Sequence, residues 1–428
     1  MNRRPILLVG YSLAWQEVLA GEGATDRVVF VEEPDVARKR GVDEHLADCD
    51  AELIRWEYQL AGAADRFFLA HRGLDPLAIL PGVEYAVPFA ARLAERYGVA
   101  GAGLGAATLL SDKALLRTVT REAQIANPRS ERVSSPDEVR AFMLDCDGPI
   151  VLKPANRQAS VGTQVLRDLA AVGAAWAECT QQDEGIYAPD RPKPLVMLAE
   201  QFVAGDEFSV ELLVRDGEPL FANVTEKHLF DGPRPIELGH AVPAPIAIAL
   251  SEQLIAQTRG VLDAVGFGSG FVHCEWIVMD GTPYLVECAG RMPGDLIVPM
   301  IDNAWRTDMV GAFATVMRGG ELPEPLPSRA AGGSGVCFVR AEPGEVVSVR
   351  GVEEARALDG VLAADVLVAP GDRVNELRSS WDRVGYVSAT ASTPEQALAL
   401  AQRAAALIHV DVMTDTTSPL SLDPMETR

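Results

Sequence analysis

The sequence predicts an α/β (α+β) protein of several domains, with a parallel βα unit first and longer antiparallel strands after it. Three observations carry this. Residues 1–107 alternate short apolar runs with helical patterns. Residues 195–224 read as consecutive strands broken only at AGDE and RDGE. Residues 331–411 return to short strands with one helix. A chain of 428 residues is long enough for two or three domains with a sizeable core. Its 48% hydrophobic and 23% charged composition is that of a globular protein.

In order, PILLVG (5–10) is a short buried strand, SLAWQEVLAGEG a helix ending at glycine, and RVVFVEE a second strand. RFFLAHRG and the amphipathic VEYAVPFAARLAERYG continue the alternation, which implies a parallel sheet. The LLVGYS turn lacks the GxGxxG pattern of a dinucleotide-binding loop. SDKALLRTVTREAQ (111–124) opens with a Ser/Asp cap and is helical, and PIVLKPA (149–155) is a strand. NRQASVGTQVL is a small-residue turn leading back into strand, and SEQLIAQTRGVLDAVGF is a helix. GVCFVRAEPG, VVSVRG, VLAADVLVAPGD and VGYVSATAS supply the last strands, and TPEQALALAQRAAALIHV the last helix. The tail TDTTSPLSLDPMETR has no apolar period and reads as disordered. The expected division is 1–107, 108–205, 206–330 and 331–411, with 412–428 as tail.

The net charge of −23 argues against general nucleic-acid binding, which depends on a positive field. It does not exclude an anionic small ligand, because a few local cations reverse the field inside a cleft. No apolar run approaches the roughly 18 residues of a membrane span. MNRRPILLVGYSLAW has too short an apolar core for a signal peptide and reads as a first strand, so a cytoplasmic location is expected. Cys49, Cys146, Cys179, Cys274, Cys288 and Cys337 show no CxxC spacing and read as small core residues.

The chemistry concentrates in FVHCEWIVMDGTPYLVECAGR (271–291), two apolar strands about a turn that nevertheless carry Glu275, Glu287 and Arg291. Buried carboxylates must share a partner, face water or bind a cation. A two-residue Asp280-Gly281 turn pairs Glu275 with Val286 and puts Glu287 on the other face. A three-residue loop, Met279-Asp280-Gly281, pairs Glu275 with Leu285. It makes the two glutamates diagonal neighbours about 7–8 Å apart, with Trp276 and Cys288 turned to the core. The carboxylates favour that loop. Oxygen-only ligation of this kind suits magnesium, and the competing reading pairs one glutamate with Arg291 and leaves the other to solvent.

Lys113, in the first turn of a helix, sits where positive charge is unfavourable beside the dipole. Lys153 ends an apolar strand. Both make sense if the ligand is a nucleoside triphosphate with magnesium. In AEQFVAGDEFSVE the strand becomes irregular at Phe202-Val203-Ala204-Gly205, exposing backbone groups suited to a purine edge, and Glu207 is placed for ribose hydroxyls.

Taken in order, GVAGAGLGAATLLSDKALLR, VLKPANRQASVGTQV, AEQFVAGDEFSVE, ELGHAVPAP and FVHCEWIV…YLVECAGRMPGD resemble an ATP-grasp ligase over nearly the full chain. GHAVPAP and the C-terminal unit resemble the carboxylate–amine ligases that include L-amino acid (dipeptide) ligases. The resemblance implies an N-terminal pre-ATP-grasp domain, a central subdomain and a C-terminal mixed-sheet domain. It implies ATP and one or two Mg2+ ions, with Mn2+ as a substitute. Lys113 and Lys153 match the phosphate lysines, and Ser160, Val161 and Gly162 fall in the phosphate-covering loop. Glu200, Gln201, Phe202 and Val203 match the adenine linker, and Glu207 the ribose acid. Glu275 and Glu287 match the magnesium ligands, Arg291 the arginine that steadies the acyl phosphate, and His240 a residue bordering the nucleotide and substrate sites. Ala289 stands where many relatives have a metal-ligating asparagine, and the covering loop has one glycine where many have several.

The implied reaction activates a small carboxylic acid as an acyl phosphate and joins it to an amine. One alternative acceptor is a carrier-protein thiol or a larger amine, and a reading of another class is an inactive nucleotide-binding regulatory protein. The implied partners are small-molecule carboxylate and amine substrates, with no nucleic acid or membrane. The resemblance is compatible with a homodimer through the first domain.

Overall fold

The computed structural model describes residues 4–12, 15, 27–49, 51–181, 184–230, 232 and 234–413. Most of the helix expected over 12–23 and the whole of the segment 414–428 lie outside the described residues. The strand β19 (His409–Met413) takes the first two residues of the expected tail.

The first domain is the expected parallel sheet, in the order β3 (Ala51–Arg55), β2 (Val28–Glu32), β1 (Ile6–Val9), β4 (Ala78–Pro81). β1, β2 and β4 are buried on both faces, which is why they read as unbroken apolar runs rather than alternating ones. The segment RFFLAHRG forms the end of a helix, Ala63–Ala70, and helix Val87–Tyr97 closes the unit with Gly98 in the left-handed conformation.

A central antiparallel sheet follows, in the order β5 (Ser130–Val133), β8 (Met197–Gln201), β6 (Ile150–Pro154), β7 (Gln164–Leu166). The largest sheet has eight antiparallel strands. Their order is β13 (Thr282–Ala289), β12 (Gly270–Met279), β9 (Asp206–Arg215), β10 (Glu218–Leu229), β11 (Glu237–Val242), β14 (Gly333–Val339), β18 (Gly385–Ala391), β16 (Val361–Val366). Three strands from beyond residue 330 thus extend the sheet begun at residue 206, so the expected boundary there divides one sheet. A small sheet of β17 (Arg373–Val374), β15 (Gly344–Arg350) and β19 completes the C-terminal unit.

The central strands of the large sheet explain the site. On β9 the residues Phe208, Val210 and Leu212 turn into one apolar core with Val224 of β10 and Cys274 and Trp276 of β12. The alternate residues are polar: Glu207, Ser209 and Glu211 on β9, Asn223, Thr225 and Lys227 on β10, His273 and Glu275 on β12. Register sets them side by side, Lys227 opposite Glu207, Thr225 opposite Ser209 and His273 opposite Glu211. Alternation with a period of two therefore puts a polar stripe across three strands. At the linker before β9, a Cβ on Gly205 would lie 2.1 Å from the Val278 carbonyl oxygen, so only glycine lets the chain pass there.

Candidate active site

The polar stripe forms one wall of a cleft of about 910 Å³, bounded also by the first domain, β6, the loop after it and the C-terminal unit. The hairpin differs from the expected register. Asp280 and Gly281, with φ of 51° and 75°, form a two-residue turn that pairs Met279 with Thr282. A bulge between Glu275 and Trp276 on one side and Leu285 and Glu287 on the other absorbs Val286. The extra residue shifts the phase of β13 by one, so Glu275 stands directly opposite Glu287. The two acids share a face as expected, but through a bulge rather than a three-residue loop. Trp276 and Cys288 are buried, and the Trp276 Nε1–H donates to Thr258 Oγ1 at 2.9 Å.

Each of the two carboxylates is held by a lysine on one oxygen. Lys113 Nζ lies 2.6 Å from Glu287 Oε2, and Lys227 Nζ lies 2.5 Å from Glu275 Oε1. The cap of helix Lys113–Glu122 is Asp112, which accepts the Ala114 and Leu115 amides. Lys113 escapes the helix dipole by turning its ammonium to Glu287 and the Arg157 carbonyl. Burial alone would raise the Glu275 carboxyl, but Lys227 and His273 outweigh it and hold it well below the ordinary range. Burial likewise opposes ionisation of Glu287, and Lys113 overcomes it. Both stay charged, and their other oxygens, Glu275 Oε2 and Glu287 Oε1, have no protein partner among the described residues.

That donor set suits a hard divalent cation such as Mg2+: oxygen only, two carboxylates face to face, one oxygen of each open. A second acidic group, Glu207, Glu237 and Glu275, has ligand atoms within 4.8 Å of one another. Its centre is taken by the Lys227 ammonium, 3.0 Å from Glu207 and 2.9 Å from Glu237, so it does not fit an ion as it stands. Burial raises the Glu207 carboxyl to about 7, with Lys227 offsetting part of the effect. Ala289 lies buried opposite His273 and offers no ligand.

Behind Glu275, His273 bridges it at 3.2 Å to Glu211 at 3.0 Å. Glu211 is fully buried, with Ser209, Asn223 and Thr225 also bonded to it. Burial would lower the His273 pKa, but its two carboxylates prevail and push it up to about 9. His273 is therefore a cation at neutral pH, fixing the orientation of Glu275.

Lys153 Nζ lies 2.6 Å from Glu200 Oε2, whose other oxygen accepts from Arg117 Nε at 2.7 Å. Burial opposes ionisation of Glu200, and the two cations overcome it, whereas burial outweighs Glu200 and lowers the Lys153 pKa. Of the two cations, Arg117 has the larger effect on Glu200. In the linker, the Gln201 and Phe202 amides donate to the Arg129 and Pro149 carbonyls, and Val203 is buried. Ser160 Oγ donates to the Pro235 carbonyl at 3.1 Å, and the Ser380 amide to Ala159, so the loop holding Val161 and Gly162 spans the cleft.

Arg291 Nε donates to Glu84 Oε2 at 2.7 Å and Nη1 to the Met292 carbonyl, tying the hairpin to the first domain. His240 does not line the cleft. It is fully buried behind Asp295, 3.4 Å from Oδ2, because Phe338 and the Asp295–Arg383 pair cover it. Its expected place beside the nucleotide is thus corrected to one layer further back. Sequence reasoning missed Lys227, Glu237, His273, Asp295 and Arg383. The signal for Lys227 and His273 was available in the period-two polar positions of NVTEK and VHCE.

Comparison with known proteins agrees with this geometry. Residues 146–300 match the ATP-grasp domain family, and residues 337–413 match the L-amino acid ligase C-terminal domain 2. The chain is 24% identical over 256 residues to alanine–anticapsin ligase of Bacillus subtilis, covering 55% of this chain and 53% of that protein. It is 25% identical over 313 residues to D-alanine–D-alanine ligase of Bordetella avium, covering 70% and 90%. The matches span 59% and 53% of the length of the first curated relatives. The crystal structure of L-amino acid ligase from Bacillus licheniformis superposes with a TM-score of 0.72 at 17% identity, covering 97% of this chain and 100% of that one. No helix among the described residues is long and apolar enough to cross a membrane. Residues 146–300 therefore carry a domain of the ATP-grasp family and residues 337–413 a C-terminal unit of the L-amino acid ligase type, and the whole chain shares the fold of the solved L-amino acid ligase.

Proposed function

We propose that the protein is an ATP- and Mg2+-dependent, ADP-forming ligase that joins a small carboxylic acid, an amino acid above all, to an amine. The observation that carries this reading is the facing pair Glu275 and Glu287, each charged, each held by a lysine on one oxygen and open on the other. Mg2+ bound there would neutralise charge on the phosphoryl oxygens during transfer. Lys113 and Lys153 add positive charge at the same end of the cleft, and Gln201 to Val203 form its purine wall. The substrate carboxylate attacks the γ-phosphorus, the bond to the β-phosphate oxygen breaks, and ADP leaves. The amine nitrogen then attacks the acyl carbon, phosphate departs with the bonding electrons, and the nitrogen gives up a proton to solvent. Arg291 suits the oxyanion, because its guanidinium fork can hold two oxygens. The 156–165 loop excludes water from the acyl phosphate.

The test is ADP and phosphate release by the purified protein with MgATP and amino acids, singly and in pairs, with products identified by mass. A product equal to the sum of two substrates less water is expected. ATP bound tightly but never turned over with any pair would reject the ligase.

A further inference from the structure

The cations lining the cleft are, with one exception among the described residues, each paired with a carboxylate. Lys113 has Glu287, Lys153 has Glu200, Arg157 has Glu184, Lys227 has its three glutamates, Arg291 has Glu84 and Arg383 has Asp295. The exception is Arg40, on the wall given by the first domain. Its Nη1 donates to the Tyr11 carbonyl at 2.6 Å. Its guanidinium lies 5.0 Å from the Tyr11 ring centre and 5.2 Å from that of Tyr187. Tyr187 in turn stacks on Trp381 at 4.9 Å. Two aromatic faces from different parts of the chain thus position the guanidinium plane without neutralising it.

The acids and bases around it are engaged elsewhere. Arg38 and Lys39 pair with Asp190, and Glu33 pairs with Arg191. Glu32 lies behind, its carboxylate accepting the Tyr11 and Glu33 amides. Burial raises that carboxyl to about 7, with the amides and Arg40 offsetting part of it, so it is only partly charged near neutrality. An arginine held in a fixed plane on a cleft wall, with five donors and one used, is built to take two oxygens of a planar anion.

We propose that Arg40, between Tyr11 and Tyr187, is a carboxylate-binding subsite, so that one substrate carries a free carboxylate the reaction does not consume. This rests on the ligase reading and sharpens its substrate class. Two sources share that chemistry: the carboxylate of an amino acid acting as the amine, or the second carboxylate of a dicarboxylic acid being activated.

The test compares kcat/KM for ADP release by the full chain and by Arg40→Gln and Arg40→Lys. In the amine arm, amino acids are set against their carboxamides. In the acid arm, dicarboxylic acids are set against their half-amides. The proposal expects the unmodified protein to prefer the carboxylate in one arm, which identifies the source. Arg40→Gln should shrink that preference about ten- to a hundredfold, the range of one charged hydrogen-bonded contact, and Arg40→Lys should restore part of it. Equal use of carboxylate and carboxamide in both arms, or a preference that survives Arg40→Gln, overturns the subsite while leaving the ligase standing. Absence of ADP release from every pair rejects the ligase instead. The subsite is then read by thermal stabilisation with the same compounds and MgADP. A carboxylate-specific shift in the unmodified protein that Arg40→Gln abolishes supports it, and identical shifts in both proteins overturn it.

Discussion

Two glutamate sites line this cleft, Glu200 and the pair Glu275 and Glu287, and they differ in how their oxygens are used. Glu200 has both oxygens engaged, one by Arg117 and the other by Lys153 and Arg117, and all three side chains are almost wholly buried. Glu275 and Glu287 each have one oxygen engaged and one open. The chemistry of the residues is the same in both. A carboxylate with both oxygens satisfied is part of the scaffold, because nothing remains to bind a ligand. One that is held in charge and orientation but left a free oxygen can still take a ligand. The comparison gives Glu200 the part of holding Lys153 and the linker in place, and leaves the hairpin pair with the open oxygens that the proposed Mg2+ site requires.

The largest effect should come from Glu287→Gln, which removes the charge opposite Glu275 and the partner of Lys113. ADP formation should fall on the order of a thousandfold or more, since a metal-held phosphoryl site supplies several kcal/mol. Turnover within a few fold of normal would show that the open oxygens are not the ones that matter. Glu200→Ala should act on the fold instead. It leaves Arg117 and Lys153 buried without their anion and should cost about 3–5 kcal/mol in urea unfolding, so a variant of normal stability would erase the contrast.

Lys227→Met tests the intermediate case, the acidic cage whose centre a lysine fills. Without the ammonium, Glu207, Glu237 and Glu275 repel one another, and Mn2+ binding without nucleotide should tighten about tenfold or more. Paramagnetic resonance of added Mn2+ would detect it, and unaltered binding would mean that Lys227 is not what keeps ions out of the cage. The smallest effect belongs to the core face of the hairpin. Thr258→Val removes the acceptor of the buried Trp276 indole and should lower stability by about 1–3 kcal/mol in thermal or urea melts, with ADP formation little altered.

Much of the architecture was legible because it is local. The apolar runs PILLVG and RVVFVEE, the Asp112 cap and the helix ends at Gly98 and Gly266 act within a few residues, and each forms the expected element. The polar positions of β9, β10 and β12 were legible too, although only the glutamates drew attention. A histidine or lysine at alternate places in an apolar strand carries the same signal as a glutamate there. The hairpin register was not legible, because a bulge inserts a residue without any mark in composition. The displaced Val286 looks like any other strand residue, and Arg117 binds its carbonyl at 2.6 Å only once the helix and the hairpin have met.

The chain by itself determined which faces are polar, where strands and helices begin, and that two carboxylates, two lysines and an arginine occur in an order that resembles an ATP-grasp ligase. These follow from periodicity and from capping over one or two turns. Only the tertiary structure decided which lysine holds which glutamate, that Lys227 fills an acidic cage, that His240 is buried behind Asp295, and that Arg40 makes no ion pair among the described residues. Such pairings join residues far apart in the chain. They exist because sheets and domains pack until buried charges find opposite charges, and a charge that finds none is left on the wall of the cleft.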